Sequence, residues 1–150
     1  MDKSDFLLRP ALETDAPKIR DLIHRVGINP MGLDWRHFIV AEMVAGEFIG
    51  CGQLKPHSDG SLEMASIAVK EGHRRQGVAR ALIEHLLANS PRPLFLMCRA
   101  SLIPFYEKFG FRVMEEKTMP PYFRRIRRLM QVLNFLARGA GPSIMHLDGN

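Results

Sequence analysis

Ile67-Ala68-Val69-Lys70-Glu71-Gly72-His73-Arg74-Arg75-Gln76-Gly77-Val78-Ala79-Arg80-Ala81-Leu82 carries the strongest structural signal in this chain. It passes from a β-branched strand end, through a basic turn containing glycine, into a helix start. Such a geometry points several backbone N–H groups and the positive helix end at one spot, which suits a phosphate or pyrophosphate. Gly77 and the small Ala79 let the backbone approach such an anion closely. The stretch is neither a GxxxxGK[ST] loop nor a GxGxxG fingerprint, so the two commonest nucleotide motifs are excluded.

Val78, Ala79, Leu82, Ile83, Leu86 and Leu87 recur at helical spacing over 76–89. Upstream, Phe6 to Pro10 reads as a short strand. Thr14 is expected to cap a helix with Pro17 in its first turn and Ile19, Leu22, Ile23 and Val26 on its apolar face, closed by Gly27. Residues 28–36 read as irregular chain or a short second helix. Phe38 to Val44 and Glu47 to Leu54 form a hairpin around Ala45-Gly46. The cluster Pro56-His57-Ser58-Asp59-Gly60 is a turn, and Ser61 to Val69 is a further strand. Downstream, Ser90-Pro91-Arg92-Pro93 breaks the helix and Leu94 to Cys98 is a buried strand. A short helix over 101–109 stops at Gly110, and Phe111 to Met114 is a strand. The pattern is an α+β fold, a mixed sheet with helices packed on it.

At 150 residues the chain suits one domain, 1–150, large enough to bury a core unaided. Its 46% apolar and 25% charged residues are ordinary globular composition. No apolar run approaches the ~20 residues of a membrane-spanning helix, and the polar N-terminus lacks a signal-peptide core. Two cysteines, Cys51 and Cys98, make no disulfide framework. His24, His37, His57, His73, His85 and His146 lack ligand spacing, so no metal is expected. A cytoplasmic protein is the expectation.

Arg74-x-x-Gly77-x-Ala79, after a strand ending in Val69, resembles the [QR]-x-x-G-x-[GA] pyrophosphate loop of the GNAT N-acetyltransferase family. Ser101-Leu102-Ile103-Pro104-Phe105-Tyr106-Glu107-Lys108-Phe109-Gly110-Phe111 is similar to that family's A-x-x-x-Y-x-K-x-G-F signature. Phe38 to Leu54 resembles its central hairpin, with Gly50 and Gly52 near the end. The resemblance covers roughly residues 6–114. Arg75 stands where a glycine is common, and Ser101 where an asparagine is common. The resemblance implies a GNAT-like acyl-CoA N-acyltransferase fold, a central, mostly antiparallel twisted sheet flanked by helices. It implies acetyl-CoA as co-substrate, held by Ile67, Ala68, Val69, Arg74, Arg75, Gln76, Gly77, Val78, Ala79, Arg80, Ser101 and Tyr106. It also implies a final strand, about 143–147, with the helix of 121–138 inserted before it.

The activity implied is transfer of an acetyl group from acetyl-CoA to a primary amine by direct attack. By resemblance, Tyr106 protonates the departing thiolate, against the plainer reading of a packed aromatic. Glu63 lies six residues before Val69, where relatives place a carboxylate. Strand alternation puts Glu63, Ala65, Ile67 and Val69 on one face. Two readings of Glu63 stand side by side, a general base acting through water and a strand-end ion pair. Cys98 reads as a small buried hydrophobe. The alternative function is a non-catalytic acyl-CoA sensor, or a binding module working through the basic helix.

The net charge of +5 has an address. Residues 121–138 carry five of the 21 basic residues, Arg124, Arg125, Arg127, Arg128 and Arg138, and none of the 16 acidic ones, so the remainder is formally neutral. Arginines early in a helix oppose its dipole, and Glu115 and Glu116 are the nearest compensation. The sharper reading is recognition of an anionic group on a small-molecule or peptide amine acceptor. A third is a homodimer packed on the apolar stripe Phe123, Ile126, Met130, Leu133 and Ala137, widened by Leu129, Val132 and Leu136. With no aromatic-interleaved basic surface, neither nucleic acid nor membrane is expected as a partner.

Overall fold

Period-two and helical patterns resolve into seven strands and four α-helices in a computed structural model that describes residues 5–137 and 141–149. In chain order these are β1 (Phe6–Pro10), α1 (Ala16–Val26), β2 (Phe38–Met43), β3 (Phe48–Pro56), β4 (Leu62–Val69), α2 (Val78–Ala88), β5 (Leu94–Cys98), α3 (Ile103–Glu107), β6 (Arg112–Val113), α4 (Pro121–Ala137) and β7 (Ser143–Leu147). The strands hydrogen-bond in the order β1-β2-β3-β4-β5-β7-β6. β1/β2 and β2/β3 are antiparallel, as are β5/β7 and β7/β6. β4 and β5 are parallel, meeting at Glu63 and Phe95. The sheet is therefore mixed, with helices against it, which is the α+β class the sequence indicates.

The chain packs as two compact units, one running up to Lys55 and including Met64–Ser90, the other formed by Pro56–Glu63 and the chain from Pro91. In the first, the alternation of β2 sends successive residues to opposite faces. Val40 joins Ile19, Leu22 and Ile23 of α1, together with Phe48, Cys51 and Ala68. Ala41 joins Ile49, Val69 and the α2 residues Val78 and Leu82. Gly50 belongs to this second layer. A Cβ there would lie 2.9 Å from the Ala68 carbonyl oxygen, with Val78 and Leu82 just beyond. Backbone cannot move aside as a side-chain tip can. Gly50→Ala is therefore expected to cost about 1–3 kcal/mol by overpacking, read as a fall in the thermal unfolding midpoint.

Thr14 does not cap α1. Residues Glu13–Asp15 form a single 3₁₀ turn that feeds directly into the helix, moving the helix boundary to Asp15. The Asp15 carboxylate is buried and accepts from the Leu12 N–H at 2.7 Å. It also accepts from both terminal nitrogens of Arg9, at 2.7 and 3.0 Å, while Arg9 reaches Glu42 through Nε at 2.8 Å. These donors, with the Arg9 guanidinium foremost, hold the Asp15 carboxyl below the usual carboxylate range. A depressed folded-state value contributes stability above the unfolded value near 3.9, and that stability is lost as the pH falls through the folded value. Asp15→Ala leaves a partly buried Arg9 short of a partner. It is expected to destabilise the protein by about 3 kcal/mol in denaturant melts at neutral pH, with the gap closing in acid.

In the second unit, Phe95, Ile144, Met119 and Phe123 pack together, and Phe111 and Met145 are fully buried. The arginines of α4 are largely engaged at its own base. Arg128 Nε donates to Glu116 at 2.6 Å and Arg127 to the other Glu116 oxygen at 3.5 Å. Arg124 donates to the carbonyls of Glu116, Lys117 and Met119. Glu116 is thus the compensating acid, whereas Glu115 pairs with Lys117 at 3.4 Å. Arg138, the last residue of the expected helix, lies outside the described residues.

Candidate functional site

β4 carries an irregularity that the sequence conceals. Ser66 has φ 59, in the left-handed region, although it sits mid-strand and is not glycine. Gln53, fully buried on β3, donates through Nε2 to Ser66 Oγ at 2.8 Å and to the Gly32 carbonyl at 3.2 Å. The Cys51 thiol lies 3.7 Å from the Ser66 carbonyl oxygen. These contacts hold an otherwise unfavourable backbone, which re-aims the strand on either side. The simple alternation expected to place Glu63, Ala65, Ile67 and Val69 on one face therefore does not run through Ser66. Beyond it, alternation resumes, with Ala68 facing the α1 layer and Val69 the α2 layer.

After Val69 the chain makes one 3₁₀ turn, Glu71–His73, and reaches α2 through Arg74–Gly77. Arg74 Nε donates to the Val69 carbonyl at 3.1 Å, tying the loop to the end of β4. Arg75 at φ 62 and Gly77 at φ 82 are both left-handed and flank Gln76. Left-handed residues in such a turn aim successive N–H groups into one concavity, a nest for anions. The first internal bond of α2 is Ala81 N–H to the Gly77 carbonyl. Among the described residues no carbonyl accepts the N–H groups of Arg75, Gln76, Gly77, Val78, Ala79 or Arg80. Free donors at a helix start, a left-handed nest and exposed Arg75 and Arg80 together fit a pyrophosphate. Gln76 Oε1 is buried without a partner beside them. His73 Nε2 faces Glu47 at 3.5 Å.

Ile67, Ala68, Val69 and Arg74 through Arg80 are thus contiguous in the first unit. Ser101, Tyr106 and Glu63 belong to the second. Ser101 is exposed in the 3₁₀ turn Ala100–Leu102 that leads into α3. Tyr106 sits within α3, edge-on to Phe105 at 5.0 Å and to Phe111 at 6.2 Å between ring centroids. Burial, reinforced by Cys98, pushes its phenol up to about 12. Cys98 is itself buried, 3.8 Å from the Met145 sulfur, and burial raises its thiol.

Glu63 is buried at the start of β4, with 4% of its surface exposed. His57 Nε2 lies 2.8 Å from Glu63 Oε1, so an N–H on that nitrogen donates to the carboxylate. His57 is the residue that sequence reading missed. It lies in the Pro56–Gly60 cluster, whose turn chemistry masks it. The available signal was that a tight turn brings positions a few residues apart on its two arms side by side. Among the described residues no group of three or more His, Cys, Asp or Glu side chains is placed to hold a metal ion. No described helix is long and apolar enough to cross a membrane.

A family model described as the acetyltransferase (GNAT) domain matches residues 34–113, from before β2 to the end of β6. The chain belongs to the GNAT acetyltransferase family. Its sheet and helices match solved GNAT structures. A Mycobacterium tuberculosis protein in complex with CoA and NLQ superposes at a TM-score of 0.74 and 19% identity, covering 96% of this chain and 99% of that one. N-acetylglutamate synthase from Neisseria gonorrhoeae, complexed with coenzyme A and N-acetyl-glutamate, gives 0.74 and 19% over 98% of this chain and 36% of its own. A GNAT-family N-acetyltransferase from Escherichia coli in complex with CoA gives 0.61 and 26%, covering 75% of this chain and 72% of that one. No curated protein matches. These three neighbouring structures are complexes with CoA, consistent with acetyl-CoA as the co-substrate.

Proposed function

We propose that residues 1–150 act as one N-acetyltransferase domain, moving an acetyl group from acetyl-CoA to the primary amine of a small-molecule or peptide acceptor. The observation that carries this reading is the row of unpartnered N–H groups over 75–80 at the start of α2, within a GNAT domain. The pyrophosphate sits on the nest of Arg75, Gln76 and Gly77 and the helix end at Val78, Ala79 and Arg80. Ile67, Ala68 and Val69 offer main-chain groups to the pantetheine arm, while Arg74 braces the loop and Ser101 lines the way to α3. The amine nitrogen attacks the thioester carbonyl and forms the C–N bond. Its proton passes through water to Glu63, the C–S bond breaks, and Tyr106 donates to the departing sulfur.

The test is thiol release from acetyl-CoA across an amine panel, with thermal stabilisation by CoA as an independent reading. Stabilisation together with thiol release is expected. Stabilisation without release by any amine would favour the acyl-CoA sensor, and no stabilisation by any acyl-CoA would end the enzyme reading.

A further inference from the structure

We infer that His57 is a positioning residue for Glu63, and that the first turn of α4 holds His57 in place. The inference rests on the proposed role of Glu63 as base. Both side chains are enclosed, each with 6% of its side-chain surface exposed, so their contact at 2.8 Å is a buried pair and not a surface accident. The Nε2–H of His57 occupies Glu63 Oε1. The other oxygen, Oε2, has no hydrogen-bond partner among the described residues, which leaves it to take a proton.

The imidazole ring is itself fixed on two sides. Tyr122 stacks on it with centroids 3.5 Å apart and planes 15° apart, and Phe123 meets it edge-on at 5.6 Å. Those two residues lie in the first turn of α4. That turn is pinned to the same loop as His57, since Asp59 Oδ2 accepts the Tyr122 N–H at 2.9 Å. A carboxylate and its imidazole partner are thereby locked by a helix outside the segment that the GNAT domain matches. A base must stay within hydrogen-bond reach of its proton, and a misplacement of about 1 Å costs up to about 100-fold in rate.

The experiment compares kcat and KM of the full chain for acetyl-CoA and one accepted amine in four variants. Glu63→Gln is expected to lower kcat by about 100-fold or more. His57→Ala is expected to lower kcat about 10–100-fold with KM for acetyl-CoA unchanged. His57→Gln, which keeps an N–H donor, restores most of the loss. His57→Ala placed in Glu63→Gln has no further effect, because there is no base left to position. A merely structural role would instead slow both backgrounds alike, and that result overturns the inference. So does full activity in His57→Ala while Glu63→Gln is impaired. Full activity in Glu63→Gln strikes the base assignment first, and the inference falls with it. Should His57→Ala fail to fold, Tyr122→Leu takes its place, removing the stack and keeping the histidine, and must show the same kcat loss confined to the Glu63 background.

Discussion

Tyr106→Phe is expected to lose about 100-fold or more in kcat, with CoA binding and fold retained. The substitution removes one oxygen and leaves the edge-on contacts with Phe105 and Phe111, which rest on the ring. Burial holds the phenol at about 12, so it keeps its proton throughout the neutral range, as a donor must. That same shift makes outright transfer to a thiolate, with an ordinary value near 8.5, uphill. The catalytic gain then comes from a hydrogen bond that strengthens as negative charge develops on sulfur, with the phenol keeping its proton and solvent protonating the released thiolate. Single-turnover kinetics with saturating acetyl-CoA measure the loss, and unchanged CoA-dependent thermal stabilisation shows that binding survives. The variant has a second signature. A raised folded-state value contributes stability below the unfolded value near 10, and this is lost as the pH rises through about 12. Tyr106→Phe has no such titration, so its melting temperature should fall less than that of the wild type between those pH values. An unchanged kcat would reduce Tyr106 to a packed aromatic.

What the sequence discloses depends on how local the cause is. β1, β5 and β7 begin and end where the apolar runs over Phe6–Pro10, Leu94–Cys98 and Ser143–Leu147 do. In those runs alternation or dense burial meets a proline or glycine boundary. The α1 boundary differs from the sequence expectation because Thr14 and Asp15 are both good capping residues, and only Arg9, on β1, decides between them. Ser66 was illegible for a related reason. Glycine advertises a left-handed backbone, but a serine does so only when Gln53 and Cys51 on the neighbouring strand stabilise it. The basic helix shows the limit of charge counting. Its arginines read as unopposed charge in the sequence, whereas Arg124, Arg127 and Arg128 donate to Glu116 and nearby carbonyls. The left-handed turn before α2, by contrast, has a local sign, because Gly77 marks it in the sequence itself.

Gly77→Val should raise the KM for acetyl-CoA about 100-fold and abolish stabilisation by CoA, while the unliganded protein remains folded. Nothing lies within 4 Å of a Cβ built at Gly77, so the substitution meets no steric obstacle in the protein itself. The cost is conformational. At φ 82 a β-branched residue is a genuine outlier, and the loop relieves the strain by turning away from the left-handed region. α2 tolerates this, because its buried residues Val78, Leu82, Ile83 and Leu86 follow the altered position. The nest does not tolerate it, since the direction of its N–H groups depends on that one torsion. Losing two charge-assisted hydrogen bonds to phosphate, at roughly 1.5 kcal/mol each, removes about 3 kcal/mol, or about 100-fold in affinity. Gly77→Asn separates torsion from bulk. Asparagine visits the left-handed region far more readily than valine, so it should recover most of the CoA affinity despite its added side chain. Equal loss in both variants would mean that the glycine is needed for space, and no loss in either would remove the loop from the cofactor site.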